Sequence, residues 1–192
     1  MGAGPRNFST NPDLERRLHD AVSSADKAAI RAVSAENRRE GGCTGHMKAA
    51  AVKALVPDGF WQQAFKFRSE RHPYEKAVSM AFFSYRGPRN DKAAFNQHLD
   101  EVVRNPGAYR SWNIYTIAGK PVVDAWVLHG SLERDFASVL DRLGLSIPNE
   151  LPRARSKQRV DRTPATEILT TAHKTIVQEA CASEFQLFDW PV

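Results

Sequence analysis

Apolar positions recur at helical spacing through most of the chain, change to a period of two at one place, and fuse into short apolar runs at another. Asn11, Pro12, Asp13, Leu14 and Glu15 read as a helix start, with Asn as cap, Pro at the first helical position and two acids in the first turn; about three turns should follow. A second amphipathic stretch carries Ala28, Ile30 and Val33 from Asp26 to Arg39, where Gly41-Gly42 stops it. His46 to Val56 is again helical, with Met47, Ala50, Ala51 and Leu55 on one face and Pro57-Asp58-Gly59 as the closing turn. From Ala64 the period becomes two: Phe65 and Phe67 alternate with Lys66 and Arg68, as in a half-buried strand that ends near Glu70. His72-Pro73 then opens a helix whose buried face is Ala77, Val78, Ala81 and Phe82. Another helix is expected from Lys92 to Arg104, between the Asn90-Asp91 cap and Asn105-Pro106. Ile114 to Ile117 and Val122 to Val127 flank Ala118-Gly119-Lys120-Pro121, which predicts a hairpin. Ser131 should cap a helix carrying Leu132, Phe136, Val139, Leu140 and Leu143, closed by Gly144. A last helical region begins at Thr163-Pro164, and its stripe Ala172, Ile176, Ala180 leads into Phe185 and Phe188.

The 192 residues suit one domain, with residues 1–44 as a peripheral helical segment and 45–192 as the main body. Hydrophobic residues at 42% and charged residues at 26% exclude a disordered or fibrous chain. Neither a membrane span nor a secretion signal is expected, because no apolar run is long enough. Cys43 and Cys181 form no paired motif, so they read as reduced thiols of a cytoplasmic protein. The net charge of +5 favours an anionic ligand. Part of it sits in a loop, where Arg153, Arg155, Lys157, Arg159 and Arg162 face only Asp161. Aromatic residues do not interleave with these cations, which argues against nucleic acid as the partner.

Arg71 lies between the strand and the helix that follows, where a helix N-terminus already favours an anion. Ser79, two turns into that helix, reaches the same anion if the ligand lies along the helix. On spacing alone Arg71 serves equally as a partner of Glu70 or Glu75, and Ser79 as a small packed residue. His19, His98, His129 and His173 fall on helical or strand surfaces with no second ligand nearby, and no metal site is expected.

The run Phe67-Arg68-Ser69-Glu70-Arg71-His72-Pro73-Tyr74-Glu75-Lys76-Ala77-Val78-Ser79 resembles the segment of the sulfotransferase superfamily that binds the 3'-phosphate of phosphoadenosine phosphosulfate (PAPS). Upstream, Gly45 to Leu55 and Phe60-Trp61 resemble the carbohydrate-type branch, the heparan 2-O-type enzymes and their bacterial relatives. Downstream, Tyr115 to Asp124, Leu132 to Phe136, Arg142 to Gly144, Glu150 to Ala154 and Glu184 to Phe188 follow the same family in order, so that the likeness spans roughly Gly45 to Trp190. It implies a P-loop-like, three-layer α/β fold with a central parallel sheet. It also implies sulfuryl transfer from PAPS to a hydroxyl of a carbohydrate or small-molecule acceptor, with no metal required. Arg71 and Ser79 carry over as 3'-phosphate ligands, and Lys157 and Arg159 as cations of a loop that closes over the nucleotide. His46 carries over as the base, since a neutral imidazole accepts an alcohol proton near neutral pH; a histidine at that place also suits the start of a helix. His72 reads as a structural neighbour of Arg71.

Two departures from the family pattern stand out. The first strand and its Pro-Lys-x-Gly-x-Ser or Thr phosphosulfate loop are not found; Gly41-Gly42-Cys43-Thr44-Gly45 has no strand before it, and Lys48 falls inside a helix. The family's Arg and Glu-Asn after the second hairpin strand are replaced by Leu128, His129, Gly130 and Ser131. The expectation is therefore an N-terminally incomplete sulfotransferase fold, catalytically weak as it stands, or a non-catalytic protein that keeps the 3'-phosphate pocket alone.

Overall fold

Helix α1 (Pro12–Ser23) starts at the expected proline, where a missing N–H leaves no helical bond unmade. After it, Asp26 accepts from the N–H groups of Ala28 and Ala29, and residues 28, 29, 32, 33, 35 and 36 are helical. The computed structural model describes residues 12–24, 26, 28–29, 32–33, 35–36, 47–88, 90–145 and 163–191. The boundary expected after residue 44 lies outside the described residues. Close backbone contacts group the described parts of the chain into two units, 1–65 with 113–122, and 66–112 with 123–192.

The first unit is helical apart from one small hairpin. Helix α2 (Ala49–Leu55) begins three residues later than the sequence suggests, and Pro57-Asp58-Gly59, expected to be a turn, instead opens a short helix α3 (Asp58–Gln63). Leu14, Ala21, Val33, Val56 and Tyr115 supply its buried apolar side chains. Strands β2 (Thr116–Ile117) and β3 (Lys120–Pro121) pair antiparallel. Ala118 and Gly119, with φ of 49° and 73°, close the two-residue turn in the left-handed region that hairpin turns of this length require.

The return strand of the hairpin is Lys120–Pro121, expected as part of the turn, and the expected strand from Val122 to Val127 is not in it; residues 125–128 instead form β4 (Ala125–Leu128), which pairs in parallel with β1 (Phe67–Glu70). The start of this pairing is pinned by Asp124. Its carboxylate accepts from the Lys66 N–H at 2.7 Å and meets the Lys66 ammonium at 3.0 Å. Burial alone would raise the Asp124 carboxyl, but these two donors, with Arg142, hold it below its ordinary value.

In the second unit α4 (Pro73–Ser84) is the central helix. Pro73, Tyr74, Ala77, Val78 and Ala81 are buried, the spacing of a helix face, and the small alanines let neighbouring helices come close. Packed around it are α5 (Lys92–Val103), α8 (Ala165–Ile168) and α9 (Thr171–Ala180), with α10 (Ala182–Phe188) next to α9. Leu99, Val103, Leu169, Val177, Cys181 and Phe185 complete this core. Helix α7 (Leu132–Leu143) packs on β4 and ends at Gly144 with φ 66°, as its sequence indicates. Ser131 does not cap it in the expected way: its hydroxyl donates to Asp135 at 2.6 Å. The last helical region breaks into three pieces, and Thr170 and His173 exchange reciprocal capping bonds at the second of them.

The described architecture is thus mixed α/β and mostly helical, with a parallel sheet of two strands in place of the central multi-stranded sheet that the resemblance implies. Strand β1 also corrects the expected facing. Phe67 is 43% exposed, with its ring 6.4 Å from that of Phe136, whereas Arg68 turns partly inward and Glu70 is buried.

Leu99→Ala should lower the stability of the second unit by about 2–5 kcal/mol in urea unfolding, while Leu145→Ala, on an exposed site, should change it by no more than about 0.5 kcal/mol.

Candidate anion-binding site

Everything at the end of β1 is organised around the Glu70 carboxylate. Its side chain is 2% exposed, and its oxygens accept from the Arg71 N–H at 2.8 Å, the Lys76 ammonium at 3.0 Å and the Ser111 hydroxyl at 2.6 Å. Lys76 also donates to Ser111 at 2.8 Å. A buried carboxylate is tolerated when its lone pairs are filled and a cation faces it. Here the donors come from the strand's own continuation, from the first turns of α4 and from residue 111. They fix the turn from β1 into α4.

That turn presents Arg71. Its guanidinium Nη2 meets Glu75 Oε2 at 2.8 Å, so the ion pair that spacing allowed is formed. The other Glu75 oxygen accepts from the Ala165 N–H at 3.1 Å, which ties the start of α8 to the same point. One of five N–H donors of Arg71 is used in this pair; its Nε is buried and has no hydrogen-bond partner among the described residues. Ser79 lies one turn beyond Glu75 on α4, and residues four apart share a helix face. Arg71, Glu75 and Ser79 therefore stand on one side of the strand–turn–helix.

The helix N-terminus itself is less open than its sequence suggests. His72 Nδ1 accepts from the Tyr74 N–H at 3.3 Å, and Pro73 has no N–H to offer. The imidazole is packed against Tyr74, Phe185 and Trp190, with ring centroids 4.9, 5.3 and 5.2 Å away. Burial keeps it below its ordinary pKa, against the pull of a hydrogen bond to the Pro191 backbone. His72 is a structural neighbour of Arg71, as its sequence position indicates.

His129, at the end of β4, enters the same neighbourhood. Crowding by the surrounding protein, then the charge of Arg71, hold its imidazole below the ordinary value, while Glu75 pulls the other way. This residue was expected on a surface, where it lies; its nearness to Arg71 was not foreseen, because the register of a parallel pair brings the ends of two distant segments together.

Behind Glu70 is a second buried acid that no sequence pattern marked. Glu184 is fully buried, and neither carboxylate oxygen has a hydrogen-bond partner among the described residues. Burial pushes its carboxyl above the ordinary range, against the pull of Lys76 and Arg110. The neighbouring Cys181 thiol is pushed up to about 12, first by burial and then by Glu184, a setting in which a thiol is unreactive.

Of the residues singled out in the sequence, Arg71 is paired with Glu75, and Ser79 lies one turn beyond Glu75 on α4. His46, Lys157 and Arg159 lie outside the described residues, as does the rest of the loop from Pro152 to Arg162 and the other cysteine, Cys43. No cluster of metal-ligating side chains occurs among the described residues, and no described helix is long and apolar enough to cross a membrane. No protein-family model, curated protein or solved structure matches the chain.

The buried acid makes stability depend on pH in a definite direction. A carboxyl whose native pKa is raised binds a proton on folding, so its contribution is complete below about 4.5 and is lost as pH rises through the raised native value. Urea unfolding of Glu184→Gln should match the parent near pH 4.5 and show the greater stability at about pH 8. A difference that stays constant over that range would contradict the assignment.

Proposed function

We propose that the chain binds a 3'-phosphorylated adenine nucleotide, PAPS or adenosine 3',5'-bisphosphate, with Arg71 and Ser79 gripping the 3'-phosphate. On this reading it is a sulfotransferase-type protein whose chemistry is sulfuryl transfer from PAPS to a hydroxyl of a carbohydrate or small-molecule acceptor. The observation that carries it is Arg71, held by Glu75 at the C-terminal end of a parallel strand pair, with Ser79 one helical turn beyond Glu75; the end of the strands is where open α/β sheets bind their ligands. The ion pair with Glu75 suits this role. It holds a long side chain in one orientation and leaves the Nη1 N–H groups for charge-assisted hydrogen bonds to phosphate.

Sulfuryl transfer, like phosphoryl transfer, asks the protein mainly to align donor and acceptor and to neutralise the donor's oxygens. The 3'-phosphate site does the first part, anchoring the nucleotide away from the reacting sulfur. His46 is the base on this reading, and Lys157 and Arg159 close over the nucleotide. A purely binding role is the second reading, and a specific observation favours it. The sequence contains no Pro-Lys-x-Gly phosphosulfate loop, and losing a cationic clamp of that kind costs about 3 kcal/mol or more of transition-state stabilisation.

Calorimetric titration with adenosine 3',5'-bisphosphate separates binding from its absence. Arg71→Ala should abolish the heat of binding, and Ser79→Ala should weaken binding about fivefold, the worth of one hydrogen bond of about 1 kcal/mol. An unchanged titration for Arg71→Ala rejects the site. In a PAPS-dependent assay the chain of this sequence should show little or no turnover; robust sulfation would show that it needs no loop of the Pro-Lys-x-Gly kind.

A further inference from the structure

Arg71 has an imidazole neighbour, His129, just past the end of β4. The parallel register pairs Glu70 with Leu128, so β1 and β4 end level, and neighbouring strands are about 4.8 Å apart. Arg71 and His129 are the next residues of the two strands. They leave the sheet side by side, and the charges of Arg71 and Glu75 both reach the imidazole.

The carboxylates near His129 are committed to other donors. Glu75 holds Arg71 with one oxygen and the Ala165 N–H with the other. Asp135, on α7, accepts from the Leu128 N–H at 2.9 Å and the Ser131 hydroxyl at 2.6 Å, while Arg134 meets its second oxygen at 3.0 Å. His129 itself has no hydrogen-bond partner among the described residues. The imidazole therefore stands beside a guanidinium with no anion committed to it.

We propose that His129 is a second cationic ligand of the phosphate that Arg71 receives, an inference that rests on the nucleotide reading above. In the free protein, crowding and the guanidinium disfavour a second positive charge and favour the neutral ring. A terminal phosphate brings up to two negative charges and reverses that field. The imidazole then takes one proton from solvent and donates it as a hydrogen bond to a phosphate oxygen. No other bond is made or broken. Two cations with one proton taken up on binding favour a phosphate monoester dianion over a singly charged diester, so the site selects a nucleotide whose 3'-phosphate is terminal over an oligonucleotide.

The test is calorimetric titration of the full chain with adenosine 3',5'-bisphosphate, for the parent and for His129→Gln, at about pH 6.5 and about pH 8.5, in two buffers of different ionisation enthalpy. Taking the ratio of the two proteins cancels the ligand's own titration. With one pKa unit gained on binding, the parent should bind about threefold more tightly than His129→Gln at the lower pH, where the imidazole is only partly protonated before binding, and equally at the higher. Proton uptake should be seen for the parent at the lower pH and be smaller for the variant. Binding by both proteins with equal affinity and equal proton uptake at both pH values overturns the role of His129 and leaves the nucleotide reading standing. No binding by the parent overturns both.

Discussion

A carboxylate removed from solvent must be answered by donors, and Glu70 is answered by three from different parts of the chain: its neighbour's N–H, the Lys76 ammonium and the Ser111 hydroxyl. The requirement fixes the path of the backbone from β1 into α4. It sets which way Arg71 leaves the strand and how the first turn of α4 faces residue 111. Removing Lys76 would leave Glu70 and the fully buried Glu184 without their nearest ammonium, a loss of the kind that costs about 3–5 kcal/mol. A well-packed apolar turn could be as stable. The polar one specifies a single direction for the guanidinium.

The helices of the second unit were largely legible because their signals are local. Pro73 after His72, the Asp91 cap whose side chain accepts from the Ala94 N–H, and Gly144 in the left-handed region mark their ends within a few residues. The missed features depend on distant partners. Alternation in Phe67-Arg68-Ser69-Glu70 gives the period of a strand but not which face is inside, and the acid goes in because residues 76 and 111 provide its donors. The run from Val122 to Val127 looks like the return strand of a hairpin. Its last part instead pairs with β1, some sixty residues away in the chain, because Lys66 holds Asp124 at the start of the register. Helix α3 was hidden by Pro57-Asp58-Gly59, which is as good a first turn of a helix as it is a β-turn.

The candidate site shows the same division. The sequence places Arg71 at the turn from strand to helix, and on α4 Ser79 lies one turn past Glu75, the partner of Arg71. The Glu75 clamp was among the alternatives, and the structure forms it without closing the guanidinium to other acceptors. His129 could not be found from its own neighbours, since only the parallel register places it next to Arg71. Glu184 was invisible for a similar reason. A charged residue in an amphipathic run normally faces solvent, and here the break at Cys181 turns α10 so that its first-turn acid points into the protein.

One satisfied buried acid sets the aim of one arginine at the end of a two-stranded parallel pair, and a terminal phosphate is proposed to bind there. The most direct measurement compares the affinity of the full chain for adenosine 3',5'-bisphosphate with that for adenosine 5'-monophosphate, which differs only by the 3'-phosphate. Hydrogen bonds to a charged group are worth about 1.5–3 kcal/mol, so loss of that phosphate should weaken binding by about tenfold to a hundredfold. Equal affinity for the two nucleotides would contradict the account.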